Sequence, residues 1–587
     1  MVDKVKHENK LDELANGTAP GKYPASPLHA VATQYPSDCH SSAFSLNSVS
    51  TWVLSWLSWY LGWALPGLGM FSVAYFIFSV GEIKVFQQVM YPDCFITFTS
   101  CDAKLVQHVS DYIQICGIIA GMLLWGALAN ITGHKWGSRM VALIMWTGTV
   151  LLTFTGFAPT SFTYFLYFLV AQTWFGFGVG GEYPMASSSA AERSATTPEL
   201  RHLRAQQVIL VFSNQGMGNF VNTCVITVFM VIFRQTGTQQ DMTFEGSKSC
   251  LTLMYGVGAV VCTAMVLHCF YSVGESKMLE EERMAATKDE LGADQLAMAD
   301  RRAGRRYLVA MWYFFPRLLV ASAAWTTNDF GFYGNKLQQN VFLNILFPGA
   351  TPYKQQQWNV LNTFIALLGY YAAALLCDKP WYGRVRCQYI GFLAMFVFNM
   401  VIYGAWSHLG STSASQQGTQ ALQALYYLIS FFNQFGPNAT TWLVAGEIFP
   451  TEIRAPCHGF SAAMGKVGAI IASLWISYIS NAQVFFLIAA IWALVGAVLT
   501  ILFLPDTTGL ELTEYDRMYH CMVKNGLKEY HGMAVQRKHL SLWEAVVGKW
   551  HENFAPDRDI AEREAEIKRN CTSESASDLK RASHRYL

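Results

Sequence analysis

The sequence predicts an all-α membrane protein with twelve spanning helices arranged as two halves of six. Composition is the first reason: 52% of residues are hydrophobic and 14% charged, against roughly 25% charged in a soluble globular chain. Length is the second. Apolar runs of about 20 residues, enough for a helix to cross a hydrocarbon layer roughly 30 Å thick, recur with centres near residues 72, 120, 148, 172, 220, 262, 322, 366, 396, 430, 468 and 493. Pattern is the third: lipid admits only helices and closed barrels, because the backbone must satisfy its own hydrogen bonds. These runs lack strand alternation and are too long for barrel strands.

In chain order, residues 1–50, within an N-terminal segment at 1–58, are polar and lack the positive start, apolar core and small-residue cleavage site of a secretory signal. They read as a cytosolic segment ahead of a first helix that serves as an uncleaved targeting signal. Residues 59–273 hold the first six spans, 274–306 a charged linker, 307–504 the second six spans and 505–587 a charged cytosolic tail. Within the tail, RDIAEREAEIKR reads as a short helix and TSESASDLKRASHR as disordered. Orientation follows from the short loops, where basic residues mark the cytoplasmic side. The even-numbered connections carry His134, Lys135 and Arg139, then Arg193, Arg201 and Arg204, then the basic linker, then Lys379, Arg384 and Arg386, and finally Arg454. Odd-numbered ones such as FAPTSF and SNAQ contain no Lys or Arg. Both termini are therefore expected in the cytosol, and the protein in the plasma membrane.

Most of the thirteen cysteines behave as small hydrophobes. Cys94 and Cys101 differ because they lie in the first external loop, where they form either a disulfide or two free thiols. The sequons at Asn16, Asn130, Asn438 and Asn570 fall in cytosol or membrane on this topology, so no glycan is expected on them. The formal charge of +1 decides nothing about nucleic acid, and no such partner is assigned. The sequence has no metal cluster, nucleotide loop or nucleophile with an adjacent base, so no enzyme, cofactor or metal is expected. The oligomeric state is not legible.

The informative residues are the charges stranded in apolar segments. Lys466 lies in SAAMGKVGAI, where an uncompensated ammonium in hydrocarbon costs about 3 kcal/mol or more. Asp329 in AAWTTNDFGFY and Glu182 in GVGGEYPMASSS are similarly isolated. Intramembrane charges of both signs mark a substrate or ion pathway. Trp325, Asp329 and Tyr333 follow one another at i, i+4 spacing and share a helix face. The halves also carry matching punctuation: GALANITGHKWG between spans two and three, CDKPWYGRVR between spans eight and nine, VGESK after span six and LPDTTG after span twelve. Two such halves fit alternating access around a central site.

At these residues the chain resembles the major facilitator superfamily and, within it, the phosphate:proton symporters of fungi and plants. The resemblance runs over about residues 60–510 and is densest in FGPNATTWLVAGEIFPTEIRAPCHGFSAAMGKVGAI at 435–470; GGEYP at 180–184, SNQGMG at 213–218 and the Trp325–Asp329–Tyr333 ladder are similar to the family's other substrate-facing segments. It implies a major facilitator fold and a secondary transporter importing inorganic phosphate with protons. It also implies that Tyr183, Gln215, Trp325, Asp329, Tyr333, Asn438 and Lys466 line the phosphate site. The chemistry suits dihydrogen phosphate, which needs a cation, neutral donors and one acceptor for its hydroxyl: Lys466 as point charge, phenol, amide and indole donors, and the Asp329 carboxylate. Sulfate has no hydrogen to offer that carboxylate and is repelled by it.

Plainer readings stand beside these. Trp325 and Tyr333 also fit as packing aromatics, Gln215 and Asn438 as interhelical amide glue, and Lys466 with Asp329 as a structural ion pair. Glu182, on a different face from Tyr183, is a candidate proton carrier at a position where the family usually has Asp, or else a capped structural carboxylate; Asp329 is the second proton candidate. Glu192, Arg193, Asp378, Arg384, Glu447 and Arg454, with Glu452, lie near cytosolic helix ends and read as gating or packing elements. The first span departs from the family: GLGMFSVAYFIF carries Val73 and Phe76 where the family pattern has aspartates, so any proton route must use Glu182, Asp329 or Glu82. Asn130 and His134 likewise replace the usual Asp and Arg of the superfamily loop. Alternatives are a transporter of an organic phosphate or another small organic anion, a phosphate receptor that binds without transporting, and a hexose porter, for which Lys466 has no purpose.

Overall fold

A computed structural model describes residues 60–564 except 104, 197–199, 275–295, 338–346, 348, 411–414 and 479–480. The readings for residues 1–58, most of the linker and the last part of the tail lie outside the described residues. The described chain is helical, with twelve spans: α1 Leu68–Met90, α2 Tyr112–Ala129, α3 Lys135–Phe157, α4 Ser161–Thr196, α5 Arg204–Ile232, α6 Phe244–Tyr271, α7 Leu296–Leu337, α8 Pro352–Leu376, α9 Gly383–Gly404, α10 Gln416–Ala445, α11 Thr451–Tyr478 and α12 Ala482–Phe503. Among the described residues nine of them are long and apolar enough to cross a membrane by length and composition alone. The other three are α7, α10 and α11, which carry the polar residues discussed below.

Local sequence explains the breaks. α2 runs almost directly into α3, and the turn between them rests on Gly133 at φ 74° and ψ 168°, a backbone state open to glycine and costly to residues with a Cβ. α10 is interrupted at Gln434–Asn438 by a π-type turn around Pro437, which has no N–H for the regular ladder. That turn rotates the Asn438 end of the helix relative to its start.

Within each half the helices pack pairwise, α2 and α3 on α4, α7 on α11 and α9 on α12. The halves meet along α2 with α11 and α5 with α8. At the first of these contacts Gly126 and Gly459 let the two backbones touch: a Cβ on Gly459 would lie 2.5 Å from the Met122 carbonyl oxygen and 3.0 Å from the Gly126 Cα. Small residues at such crossings permit close van der Waals packing in lipid, where no hydrophobic force drives helices together.

Cys94 and Cys101, just beyond α1, are joined by a disulfide with Cα atoms 4.9 Å apart; this end of the bundle is called the disulfide face. The opposite end, where α12 exits, is the tail face. Residues 505–564 fold there against the second half. Helix α13, Leu512–Lys524, buries Tyr515, Met518, Tyr519 and Met522 with Phe314 of α7 and Ile448 and Phe449. Helix α14, Leu542–Val546, begins with a capping box between Ser541 and Glu544. Glu544 also accepts a 2.6 Å bond from Arg317 Nε of α7, and Arg317 lies over the Tyr515 ring.

Candidate functional site

Lys466 and Asp329 meet at the centre of the bundle. The ammonium donates to Asp329 Oδ2 at 2.6 Å, and each residue is 1% exposed. α7 and α11 bring them together because Gly468 packs directly on the Thr326 carbonyl. The ammonium also sits 4.5 Å from the Tyr333 ring centre and 5.0 Å from that of Tyr183, a cation–π arrangement that stabilises the charge without neutralising it. Such a pair is costly to bury and costlier to break, about 3–5 kcal/mol when one partner is removed.

A chain of neutral side chains extends from the pair across the boundary between the halves. Asn328 Nδ2 donates to Asp329 Oδ1 at 3.0 Å and to Asn438 Oδ1 at 3.3 Å. Asn438 Nδ2 reaches Gln434 Oε1 at 2.6 Å, the Tyr370 hydroxyl at 2.7 Å and Gln215 Oε1 at 3.1 Å. Tyr370 donates to Gln215 Oε1 at 2.7 Å, and Gln215 Nε2 donates to the Tyr183 hydroxyl at 2.8 Å. Trp325 packs on Tyr183, 6.2 Å between ring centres, and edge-on against His458. The structure thus gathers Tyr183, Gln215, Trp325, Asp329, Tyr333, Asn438 and Lys466 in one buried cluster drawn from α4, α5, α7, α10 and α11. Tyr370, Asn328 and Gln434 belong to the same cluster, although the sequence does not single them out.

Glu182 lies beside this cluster, facing α1. Its carboxyl rests on Gly69, where a Cβ would come within 1.8 Å of Oε1, and it makes no hydrogen bond among the described residues. Val73 and Phe76, one and two turns further along α1, are fully buried; Phe76 stacks on Tyr255. These positions of the first span therefore serve packing.

On the tail face the halves are joined by ions. Glu447 accepts from Arg204 of α5 at 2.7 Å and from Arg384 of α9 at 3.1 Å, and Thr507 donates to it as well. Arg384 also pairs with Asp378 at 3.1 Å. Asp378 in turn accepts from the backbone N–H groups of Ala205 and Gln206, capping the start of α5 where the helix dipole favours a negative charge. Asp378, Arg384 and Glu447 are thus brought together with Arg204 as the link to the first half. Arg454 turns away toward the tail, donating to the Phe449 carbonyl at 3.2 Å. Arg193 is half-buried near the end of α4, and the Glu192 side chain lies outside the described residues.

On the disulfide face the halves are joined by Glu82 of α1, which accepts from Asn359 of α8 at 2.8 Å, from Gln356 of α8 and from Thr223 of α5 at 3.0 Å. Cross-half contacts therefore exist at three levels: ions at the tail face, amides and phenols at the centre, and a buried carboxylate, Glu82, with hydroxyl and amide donors at the disulfide face.

Comparison with known proteins places this architecture. Residues 64–519 match the family described as Sugar (and other) transporter. The low affinity inorganic phosphate transporter 8 of Medicago truncatula is 27% identical over 514 residues, covering 78% of this chain and 90% of the relative. The inorganic phosphate transporter 1-2 of Oryza sativa subsp. japonica is 27% identical over 478 residues, covering 72% and 85%. Among solved structures, the major facilitator superfamily proton:xylose symporter bound to 6-bromo-6-deoxy-D-glucose superimposes with a TM-score of 0.59 at 16% identity, over 78% of this chain and 98% of that one. The fold is that of the major facilitator superfamily, and the chain, a multi-pass integral membrane protein, belongs to the Sugar (and other) transporter family.

Proposed function

We propose that the protein imports inorganic phosphate together with protons, by alternating exposure of the central cluster to the two sides of the membrane. The observation that carries the reading is the buried Lys466–Asp329 pair set among uncharged donors at the boundary of the halves. A compact monoanion entering there competes with Asp329 for the ammonium, takes hydrogen bonds from Tyr183, Gln215 and Asn438, and offers its own hydroxyl to the displaced carboxylate. A fully deprotonated tetrahedral anion such as sulfate has only charge to set against Asp329. The relatives named as inorganic phosphate transporters, similar over most of the chain, support the same substrate.

On this reading the tail face is cytosolic, in keeping with the basic loops, and the membrane is the plasma membrane. The Arg204–Glu447–Arg384–Asp378 network holds the cytosolic side closed and releases as the halves rock. Glu182 and Asp329 carry protons, Glu182 because its carboxyl is buried against Gly69 with no cation bonded to it among the described residues. The test is phosphate uptake into proteoliposomes with and without an imposed pH gradient, repeated with a sodium gradient. Uptake driven by the pH gradient and lost in Lys466→Ala is the expected result. Wild-type uptake by Lys466→Ala removes the site, and uptake driven only by sodium removes the proton.

A further inference from the structure

Glu82 and Lys336 lie on opposite sides of the boundary between the halves, near the disulfide face, and neither takes part in the central cluster. Glu82 is 5% exposed and is held by three neutral donors, one from its own half and two from α8. Lys336, 8% exposed on α7, has an ammonium with no hydrogen-bond partner among the described residues. Among the described residues the charged group that acts on it is Glu82. A buried ammonium without a hydrogen-bonded partner is expensive, so an arrangement that balances the two charges while keeping them apart leaves each available to something else. A cavity of about 20 Å³ opens beside the carboxyl, lined by Glu82 and Gln356 with Phe86, Ile226 and Met230, room for one water. Lys336 also continues the face of α7 that carries Trp325, Asp329 and Tyr333, lying three residues past Tyr333 and seven past Asp329.

We propose that Glu82 and Lys336 form a proton-gated anion port at the disulfide face: a proton on Glu82 opens the contact with α8 and frees Lys336 to recruit the oxyanion. The proposal deepens the phosphate reading and rests on it for the identity of the anion. The proton bonds to a Glu82 carboxylate oxygen, and no other bond is made or broken. Neutralised, the carboxyl loses the charge-assisted part of its bonds to Gln356 and Asn359, which is about half their strength, so α1 and α5 are held less firmly to α8. At the same moment the charge that balanced Lys336 is gone, and its ammonium attracts an anion one step outside the Lys466 site. Proton and anion then each favour the other's binding, as reciprocal linkage requires.

The surroundings leave these two groups in control. α5 presents Cys224 and Thr223, α8 presents amides, and α1 itself contributes the Tyr75 phenol and a half-exposed Lys84. α6, packed on the same stretch of α1, faces it with Tyr255 and Cys250; its charged residues are Glu245, exposed, and Lys248, which lies over the Phe157 ring. Asp241 of the preceding turn is exposed and bonded to Thr238.

Two measurements test the port on the full-length protein. The first reads the gate without substrate: spin labels introduced at Val89 of α1 and Lys354 of α8 should move apart on acidification in wild type and stay in place in Glu82→Gln. A distance that responds to pH equally in both overturns the proposal. The second reads coupling in proteoliposomes with labelled phosphate. Glu82→Gln should lose pH-gradient-driven accumulation by roughly tenfold or more while phosphate exchange at matched pH falls far less, and Lys336→Met should raise the half-saturating external phosphate by roughly tenfold. Wild-type accumulation in Glu82→Gln overturns the port. Absence of phosphate exchange in the wild type overturns only the substrate, because the label distances still judge the gate.

Discussion

The two halves share an architecture and differ in what they bury. Among the described residues all six spans of the first half are long and apolar enough to cross a membrane, whereas in the second half only α8, α9 and α12 are. The second half holds the paired charges Lys466 and Asp329, the broken α10 and its amides, Lys336, and the Arg317 that anchors the tail. The first half brings uncharged donors to the centre, Tyr183 and Gln215, and two carboxyls, Glu82 and Glu182, with no cation of its own bonded to either among the described residues. On the proposed reading, anion chemistry is concentrated in one half, while two of the three carboxyls assigned to the proton, Glu82 and Glu182, lie in the other and the third, Asp329, lies with the anion site. Coupling the two requires communication between the halves, and the three levels of cross-half contact connect them.

The largest expected effect breaks the second half's pair. Lys466→Ala leaves Asp329 buried without its cation, at a cost of about 3–5 kcal/mol in stability, and removes phosphate binding. Thermal unfolding with and without phosphate separates the two losses, and the double substitution Lys466→Met, Asp329→Asn sharpens the comparison. It should recover most of the stability, since paired charges replaced together by neutral groups are close to neutral for folding, yet recover no binding. A first-half donor, Gln215→Ala, should cost only about 1–2 kcal/mol of binding.

Second comes the ionic contact between the halves. Glu447→Ala leaves Arg204 and Arg384 facing each other without the carboxylate that both use, a loss of about 3 kcal/mol from the closed tail face. The expected outcome is a shift toward the state open on that face, seen as faster labelling of cysteines introduced around α5 and α9. An unchanged labelling rate would mean the network is packing and the halves are held elsewhere.

Third is the tail, which belongs almost wholly to the second half. His539 is buried there with its ring Nδ1 2.8 Å from the Asp506 carbonyl, and burial holds it down to about 4 from an ordinary 6.5, the Asp506 carbonyl partly opposing and Lys538 adding to the shift. A group whose value is depressed in the docked state stabilises docking above its undocked value and loses that contribution as pH falls through the docked one. Docking should therefore weaken from pH 6.5 down to about 4, by at most about 3 kcal/mol. Asp516 works the other way: its burial raises it, with Arg454 opposing, so acid favours its docked form. His539→Phe isolates the two, and should abolish the acid sensitivity of tail release measured by limited proteolysis.

The sequence reveals the helices more fully than the site. Among the described residues nine of the twelve spans follow from apolar length, and Lys466, Asp329 and Glu182 stand out because charge in an apolar run is rare. Tyr370, Asn328 and Gln434 do not, because a phenol or amide within a span looks like ordinary interhelical glue; their roles depend on which helix faces which. Arg204 reads as one more basic loop residue, yet it heads α5 and meets Glu447, 243 positions away. The folded tail did leave a signal: Tyr515, Met518, Tyr519 and Met522 fall at i, i+3, i+4 and i+7, the stripe of a helix packed on one side. Its charged composition obscures that stripe.

The smallest and most discriminating effect concerns Asp329. Asp329→Asn keeps an oxygen within reach of Lys466 and a hydrogen-bonding shape among Asn328 and Asn438, so the cluster should hold together better than in Lys466→Ala. What it loses is the negative charge that answers a phosphate hydroxyl and opposes an anion without one. Phosphate transport should weaken, and competition by sulfate should rise by about tenfold, equivalent to about 1.4 kcal/mol. If the division between the halves is as described, no neutral substitution at Tyr183 or Gln215 will produce that change in preference, because neither residue contributes charge. Sulfate competition that rises equally in Gln215→Ala and Asp329→Asn would place selectivity in the shape of the whole cluster and dissolve the contrast.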